Sequence, residues 1–260
     1  MSEQLKQTSS ADTNKAKVDY GLDAPGVFRG LLIGGLAAGI VGFFLVRWAL
    51  REHAGFAIGM GFAILKAGIG CVIGASLMLA SSRFGKFYAR DRLLERLKLR
   101  GDETVLDVGC GHGLLLVGAA KRLPRGRAVG IDLWSQVDQS SNSREATLSN
   151  AALEGVADRV SVRDGDMRKL PFAESTFDAA IAHFAIHNIP TREGRRQAID
   201  EIVRTLKPGG QVALSDMKSV GLYADELRKL GMYNVKVSGL SFWTWPPART
   251  VTARKNVEPA

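Results

Sequence analysis

The chain has 260 residues, 46% of them hydrophobic and 23% charged, a composition that excludes disorder over most of its length. Its formal net charge of +9 allows an anionic partner, but no run of Lys and Arg is long enough to indicate nucleic acid, which we do not expect to bind. The cysteines, Cys71 and Cys110, form neither a disulfide framework nor a metal site, so we expect no metal and a reducing compartment.

The first third of the chain changes composition abruptly. Residues 1–26 are polar and lack apolar periodicity, and we interpret them as a disordered polar tail. Two apolar segments follow, residues 27–46 and 54–80, and each contains a single charged residue. A bilayer core of about 30 Å is crossed by about 20 helical residues, so each segment is long enough to span it. The sequence therefore predicts a transmembrane helical hairpin over residues 27–82.

Two alternatives to a membrane-spanning hairpin are helices buried in a soluble domain and a signal peptide. Helices buried inside a soluble domain are also apolar, although an amphipathic soluble helix has a polar face that these segments lack. A signal peptide fits less well, because the first apolar segment lies far from the N-terminus and a second one follows it. More basic residues flank the outer ends of the hairpin than lie in its link. This bias predicts an integral membrane protein with both termini in the cytoplasm, in the inner membrane if the cell is bacterial.

Small residues recur in both apolar segments, with spacings such as Gly55-x-x-x-Gly59 and Gly70-x-x-x-Gly74. Because such spacings let helices approach closely in lipid, we expect the hairpin to pack on itself or to form a homo-oligomer with a second copy. Lys66 interrupts the second segment and either snorkels or makes a polar contact, within the helix pair or to a lipid headgroup. Residues 84–100 are amphipathic and predict a helix that rests on the headgroups or covers the globular part.

From Thr104 onward, short apolar runs alternate with longer amphipathic stretches, which is typical of βα units around a parallel sheet. Strands are predicted at residues 104–108, 128–131, 160–163, 177–182 and 211–215, with two more near the C-terminus. Helices are predicted at residues 114–123, 143–154 and 194–206. The polar segment 135–143 is longer than a tight loop needs, and we interpret it as a lid over the binding site.

A glycine turn, Gly109-Cys-Gly-His-Gly113, stands between the first of these strands and its helix. Glycines let a ligand approach the backbone and meet N–H groups at the positive end of a helix. Asp132 follows Gly109 by 23 positions and ends the next strand, where a carboxylate can accept hydrogen bonds from both hydroxyls of a ribose. The sequence therefore predicts a nucleotide-like ligand at the adjacent ends of two strands.

Five motifs in this region occur in the order found in one protein family. They are Val105-Leu-Asp-Val-Gly-Cys-Gly-His-Gly113, Gly130-Ile-Asp132, Gly165-Asp-Met167 with Leu170-Pro-Phe172, Phe177-Asp-Ala179 and Leu206-Lys-Pro-Gly-Gly210. With them, residues of about 93–255 resemble the class I S-adenosylmethionine-dependent methyltransferases, in the type 11-like group. The resemblance implies a Rossmann-like α/β sheet with helices on both faces, and it makes residues 83–260 the methyltransferase domain. It also implies S-adenosylmethionine as the cofactor.

The resemblance carries site roles to the matching positions. It implies that Gly109, Gly111 and Gly113 line the methionine end of the cofactor and that Asp166 bonds the adenine amino group. The expected cofactor-binding residues are Asp107, Gly109, Cys110, Gly111, His112, Gly113, Asp132, Leu133, Trp134, Gly165, Asp166, Met167, His183 and Phe184.

The methyl acceptor is less well defined than the cofactor. A thiol or hydroxyl acceptor benefits from a base, and His183 and His187, just beyond the fourth strand, are the candidate catalytic residues, His183 before His187. A structural role is the alternative for both. The membrane anchor favours a small molecule that is lipophilic or lipid-like. Three aromatic residues lie near the C-terminus, Phe242, Trp243 and Trp245. Their alternatives are to line an apolar substrate pocket, to contact the lipid interface or to belong to a packed loop.

Two other functions compete with methyl transfer. A nicotinamide dehydrogenase of this fold requires a glycine at the position of Leu114, which the chain lacks. A membrane adaptor that keeps the cofactor-binding fold but is catalytically silent is the alternative from a different class. The intact glycine turn, Asp132 and Asp166 count against it.

Overall fold

A computed structural model describes residues 17–135 and 142–257. Its helices are α1 (Pro25–Arg51), α2 (Gly55–Ala80), α3 (Lys86–Glu95), α4 (Leu114–Ala120), α5 (Arg144–Leu153), α6 (Arg192–Thr205) and α7 (Val220–Lys229). Its strands are β1 (Thr104–Val108), β2 (Arg127–Asp132), β3 (Val160–Asp164), β4 (Phe177–His183), β5 (Leu206–Asp216), β6 (Tyr233–Val237) and β7 (Arg249–Arg254).

The first two helices form an antiparallel pair whose contact surface, here called the seam, consists of small residues. The seam residues recur every seven positions and are Gly35, Gly42 and Ala49 of α1 with Gly61, Gly68 and Ala75 of α2. A Cβ at Gly42 would stand 2.6 Å from the backbone N of Leu65, and one at Gly68 would stand 2.6 Å from the N of Gly39. The two backbones are therefore in contact, and a side chain at either position would force them apart.

The glycine spacings that the sequence suggested for this contact lie elsewhere. A Cβ at Gly55, Gly59 or Gly70 would meet nothing within 4 Å, and at Gly74 the nearest atom would be 3.9 Å away. The expectation that these spacings pack the hairpin on itself is therefore wrong, because they face away from the seam. Lys66 is also exposed on the outer surface, so it does not make a polar contact within the pair.

The large apolar side chains of the pair point outward. In the most apolar 18-residue window of each helix only 11% of the residues are buried, and both helices are long and apolar enough to cross a membrane by length and composition. In the part of the chain that the structure describes, neither helix is a core helix of the α/β domain. Both helices are thus mostly exposed in this structure.

The α/β domain is built on a seven-stranded sheet of order β3-β2-β1-β4-β5-β7-β6. Strands β1 to β5 pair in parallel, and β7 runs antiparallel to both β5 and β6. Leu106 belongs to the core under α6 and α7, whereas its neighbour Val105 belongs to the core under α3 and α4. Alternate residues of one strand thus face the two layers of helices, as in sheets covered on both sides. The strand order reverses between β1 and β4, which leaves a crevice at their carboxyl ends.

The predicted α/β fold is confirmed, with differences at particular elements. The first strand has the expected bounds, whereas α7 was not predicted and β5 begins at Leu206, five positions earlier than expected from residue 211. The helix expected over residues 84–100 begins with a π-helical turn at Ser81–Gly85 and ends at Glu95. The lid expected at residues 135–143 lies mostly outside the described residues.

The N-terminal tail also differs from the expectation. Residues 17–26 are not a disordered tail, because α1 begins at Pro25 and Tyr20 is 5% exposed. Residues 1–16 lie outside the described part of the chain. The ordered residues 17–24, here called the strap, pack on the α/β domain before the chain enters α1.

Candidate active site

A cavity of about 600 Å³ lies at the carboxyl ends of β1 and β4. Its walls come from the glycine turn, from the segments that follow β2, β3 and β4, and from the strap with the start of α3. Open α/β sheets bind ligands at this position, outside the point where the strand order reverses.

The glycine turn is held in a conformation that other residues rarely adopt. Its φ angles are 74° at Gly109, 49° at Gly111 and 83° at Gly113. The N–H groups of Gly109 and Cys110 both donate to the carbonyl of Ile131, at 2.8 and 3.1 Å. A Cβ at Gly109 would collide with the side chain of Ala185. The turn is therefore fixed to β2, and its backbone is open to close approach by a ligand.

Two carboxylates stand beside this turn. Asp107 is 2% exposed, and its Oδ2 has no hydrogen-bond partner among the described residues. Burial, with a further contribution from the negative charge of Asp132, raises the pKa of Asp107 to about 8. Asp132 accepts hydrogen bonds from the backbone N–H of Gly111 at 2.8 Å and of Trp134 at 2.7 Å. A cation in the cavity would stabilise both ionised carboxylates, so the site fits a positively charged ligand.

Asp166, expected to meet an adenine amino group, already has a partner in the chain. Its carboxylate accepts from the backbone N–H of Arg168 at 2.8 Å and from the guanidinium of Arg168 at 2.9 and 3.0 Å. This hydrogen bonding by Arg168 lowers the pKa of Asp166. The pair is partly exposed, so Asp166 has to share its oxygens between Arg168 and any ligand.

The structure brings most of the predicted site residues to the cavity wall. Those that line it are Asp107, Gly109, Cys110, Gly111, His112, Asp132, Leu133, Gly165, Asp166, Met167, His183, Phe184 and His187. Gly113 and Trp134 do not. Gly113 caps α4 and faces Thr147, and the indole N–H of Trp134 donates outward to Asp164 at 2.7 Å.

The two candidate catalytic histidines have different environments. His183 ends β4, stacks on Phe184 at 4.2 Å between ring centroids, and has an Nδ1 without a hydrogen-bond partner among the described residues. Burial lowers the pKa of His183 to about 4, so this ring is neutral at pH 7. His187 lies in the 3₁₀ turn Ile186–Asn188, so the two rings do not share one helical turn as their spacing suggested.

His187 is held by a carboxylate. Its Nδ1 lies 2.7 Å from Oδ1 of Asp216, which is 2% exposed at the end of β5, a close contact that lacks hydrogen-bond geometry. The other oxygen of Asp216 accepts from the hydroxyl of Tyr223 at 3.0 Å and from the backbone N–H of His187 at 3.1 Å. A carboxylate on Nδ1 favours the tautomer that leaves Nε2 as an acceptor. The geometry therefore makes His187 the better candidate for a base. The sequence analysis had ranked His183 before it.

Several residues in the cavity wall or directly behind it were missed by the sequence analysis. Asp216 was detectable, because an acidic residue at a strand end beside the crevice is a typical site position. Tyr20, Asp23 and Lys86 were not, because they come from the strap and the start of α3, on either side of the helical hairpin.

Comparisons with known proteins identify the family of this domain. Residues 106–214 match the profile of a methyltransferase domain family. The demethylmenaquinone methyltransferase of Lactiplantibacillus plantarum is 32% identical over 124 residues, which cover 47% of this chain and 48% of that protein. The 27-O-demethylrifamycin SV methyltransferase of Amycolatopsis mediterranei is 33% identical over 159 residues, 58% of this chain and 54% of that protein. The chain spans about half the length of the curated relatives it matches.

Solved structures share the fold. A geranyl diphosphate methyltransferase in complex with S-adenosylmethionine has a TM-score of 0.54 at 17% identity, covering 65% of this chain and 85% of that one. The [4+2]-cyclase SpnF has a TM-score of 0.53 at 22% identity, covering 66% of this chain and 81% of that one. At such identities the likeness concerns the fold alone.

The fold, the glycine turn with its two carboxylates, and the family match together define the class. The α/β part of the chain is a class I S-adenosylmethionine-dependent methyltransferase domain. Within that class the match is to the type 11 methyltransferase domain family, and S-adenosylmethionine is the cofactor.

Proposed function

We propose that this protein is a membrane-anchored methyltransferase that transfers the methyl group of S-adenosylmethionine to a small, lipophilic acceptor. The observation that carries the proposal is a single cavity lined by the glycine turn, two carboxylates and His187, with the buried Asp216 directly behind His187. The first two elements suit a cationic cofactor, and the pair suits removal of a proton from a hydroxyl or thiol acceptor.

The proposed roles follow from the position of each group. S-adenosylmethionine, when bound, supplies a methyl group on a positively charged sulfur. Asp107 and Asp132 favour that positive charge, and the buried ring of His183 with Phe184 helps to keep water from the reacting atoms. His187 accepts the proton of the acceptor at Nε2. Asp216 fixes the tautomer of His187 and stabilises the imidazolium as it forms.

The proposal for the acceptor rests on the apolar part of the cavity lining. This part includes residues outside the glycine turn, namely Ala24, Leu115, Ile189, Pro190 and Met217. Ala24 is the residue before α1, so this wall adjoins the apolar hairpin. An acceptor that partitions into the bilayer would reach the cavity at the start of the hairpin. Curated relatives named as methyltransferases of demethylmenaquinone and of sterols are consistent with a lipophilic acceptor.

A catalytically silent adaptor is the second candidate. It is favoured by the pairing of Asp166 with Arg168, which occupies a carboxylate expected to bind the cofactor. The similar fold of SpnF, a [4+2]-cyclase, also associates this architecture with a reaction other than methyl transfer. Against the adaptor, the geometry of the glycine turn and the ordered His187 leave the cavity equipped for turnover.

The test of methyl transfer uses the full chain in membranes and cofactor with a labelled methyl group. We expect label in the organic phase of a lipid extract, and its loss in the Gly111→Val variant, in which backbone approach is blocked. Label in protein or nucleic acid instead would contradict a lipophilic small-molecule acceptor. Absence of label in every fraction, with the cofactor bound, would favour the adaptor.

Anchoring needs a separate test. The two apolar helices expose their large side chains, so the full chain should remain with membranes after a carbonate wash. Release into the wash would contradict a spanning hairpin and leave the proposal for methyl transfer unaffected. Protease protection should place the α/β domain on the cytoplasmic side, as the distribution of basic residues around the hairpin suggests.

A further inference from the structure

The strap, residues 17–24, crosses from the cofactor-binding turn to the hairpin and closes one side of the cavity. Its Tyr20, Asp23 and Ala24 line the cavity together with residues of the glycine turn. Gly21 packs against the ring of His112 in that turn, where a Cβ would stand 3.2 Å from Cε1. The strap is thus a wall of the site and not only a connection to α1.

The two ends of the strap are attached to different parts of the domain. At one end, Asp19 exchanges two hydrogen bonds with the side chain of Asn150, at 3.0 and 2.8 Å, and Asn150 also donates to the carbonyl of His112. At the other end, the backbone N–H of Asp23 donates to the hydroxyl of Ser82 at 3.1 Å. Between them Tyr20 is buried edge-on against Phe87, with ring centroids 5.9 Å apart.

Lys86 holds the middle of the strap. It is 5% exposed, and its ammonium group donates to the carbonyls of Tyr20 at 2.9 Å and Gly21 at 2.6 Å. The carboxylate of Asp23 is 3.9 Å away. Burial lowers the pKa of Lys86, so the charged form is costly here and is maintained by these strap oxygens. These contacts between the ammonium group of Lys86 and the strap carbonyls exist only while the strap lies against the domain. They therefore stabilise that position of the strap and no other.

We infer that the strap is a gate over the cofactor cavity and that Lys86 is the positioning residue that keeps the gate closed. When the strap lifts, the carbonyls of Tyr20 and Gly21 leave Lys86, and the side of the cavity next to the glycine turn opens. Cofactor enters and product leaves in that open state. The inference rests on the proposed function only for the identity of the cofactor, because gating concerns binding and release and not the methyl-transfer step.

The chain provides a matched control for Lys86. Lys255 also donates to two backbone carbonyls, those of Val203 and Leu206, both at 2.8 Å. Burial lowers its pKa as well, but it does not line the cavity. Lys86→Met and Lys255→Met therefore remove the same kind of interaction, once at the strap and once away from it.

The experiment measures dissociation of labelled S-adenosylhomocysteine from the full chain in detergent, after addition of excess unlabelled compound. We expect Lys86→Met to accelerate dissociation about 10- to 100-fold, because the variant lacks hydrogen bonds from a charged donor that stabilise only the closed strap. Association should not become slower. Lys255→Met should lower the melting temperature while dissociation stays within about twofold of the unmodified chain. Ser82→Ala, which removes one weaker contact, should accelerate dissociation by about threefold.

The outcomes distinguish a gate held by Lys86 from a purely structural role of Lys86. If Lys86→Met lowers the melting temperature like Lys255→Met but leaves dissociation unchanged, Lys86 is structural and the gate is wrong. If Lys86→Met does not fold, Ser82→Ala decides, and an unchanged rate there overturns the proposal. A chain that binds S-adenosylhomocysteine but transfers no methyl group would contradict the proposed function, while faster release from Lys86→Met would still support the gate.

Discussion

The helical hairpin and the α/β domain bury opposite kinds of side chain. The hairpin buries glycine and alanine at its seam and exposes large groups, with Phe44 61% and Ile33 67% exposed. The α/β domain buries its large side chains, including Tyr223, Phe177 and Leu116, at 1% exposure or less. The two regions of one chain thus follow opposite rules of burial.

This difference indicates what each region is built to contact. In water, burial of apolar area is the main driving force, and it selects large aliphatic and aromatic cores. Between helices in lipid there is no such gain, and close backbone contact between small residues replaces it. The same comparison separates their functions, because every polar group of the cavity lies in the α/β domain, the strap or the start of α3, and none lies within the hairpin.

The largest effect is expected in the α/β domain, at His187. His187→Ala should lower kcat by about 10²–10⁴, because the proton of the acceptor loses its base. Cofactor affinity should barely change, since the glycine turn, Asp107 and Asp132 are intact. The control is His183→Ala, which should lower the melting temperature more than the rate. Equal rates for His187→Ala and the unmodified chain, measured with the labelled-methyl assay, would remove His187 from the mechanism.

The packing of the helical hairpin is tested at the seam. Gly68→Leu should destabilise the hairpin by about 1–3 kcal/mol or more, since its side chain would meet the backbone of Gly39. Gly70→Leu is the control, because a Cβ there meets nothing within 4 Å, and it should change stability by less than about 0.5 kcal/mol. Unfolding of the full chain in a detergent titration measures both. Similar values for the two variants would mean that the seam is not the contact surface.

A smaller effect is expected for cofactor binding at Asp132. Asp132→Ala should weaken S-adenosylmethionine binding about 10- to 100-fold, because a charged acceptor is lost and two backbone N–H groups lose their partner. Asp164, two-thirds exposed and bonded to Trp134, is the matched position outside the cavity. Asp164→Ala should leave the affinity unchanged in calorimetry, and a loss equal to that of Asp132→Ala would count against a specific role for Asp132.

A pH dependence of stability is expected for the protein without cofactor. With a folded-state pKa of about 8, Asp107 keeps a proton that the unfolded chain releases near pH 4, where the ordinary pKa lies. Its contribution to stability is therefore present below about pH 4 and is lost as the pH rises to about 8. Asp107→Asn, which does not titrate, should gain melting temperature relative to the unmodified chain as the pH rises from 5 to about 8.5. A difference that does not change with pH would contradict the raised pKa.

The sequence predicted the parts of the molecule that depend on local pattern. The first strand, the glycine turn and Asp132 follow from alternation, from glycine chemistry and from strand spacing, and all lie at the cavity or beside it. The seam was missed because glycines look alike in sequence, and only the packing distinguishes Gly68 from Gly70. The strap was missed because Lys86 and Tyr20 are 66 positions apart and the entire hairpin lies between them.

The short link between α1 and α2 has a consequence for how the protein is inserted. If the hairpin crosses a bilayer, only residues 52–54, with Arg51 at the helix end, emerge on the far side. Arg47, Arg51, Glu52 and His53 are then almost all of the charged or polar side chains that must be translocated during biosynthesis, and no structure has to fold beyond the membrane. The N-terminal segment and the α/β domain stay in the compartment of synthesis, so the cavity can assemble there from both sides of the hairpin once α1 and α2 have come together.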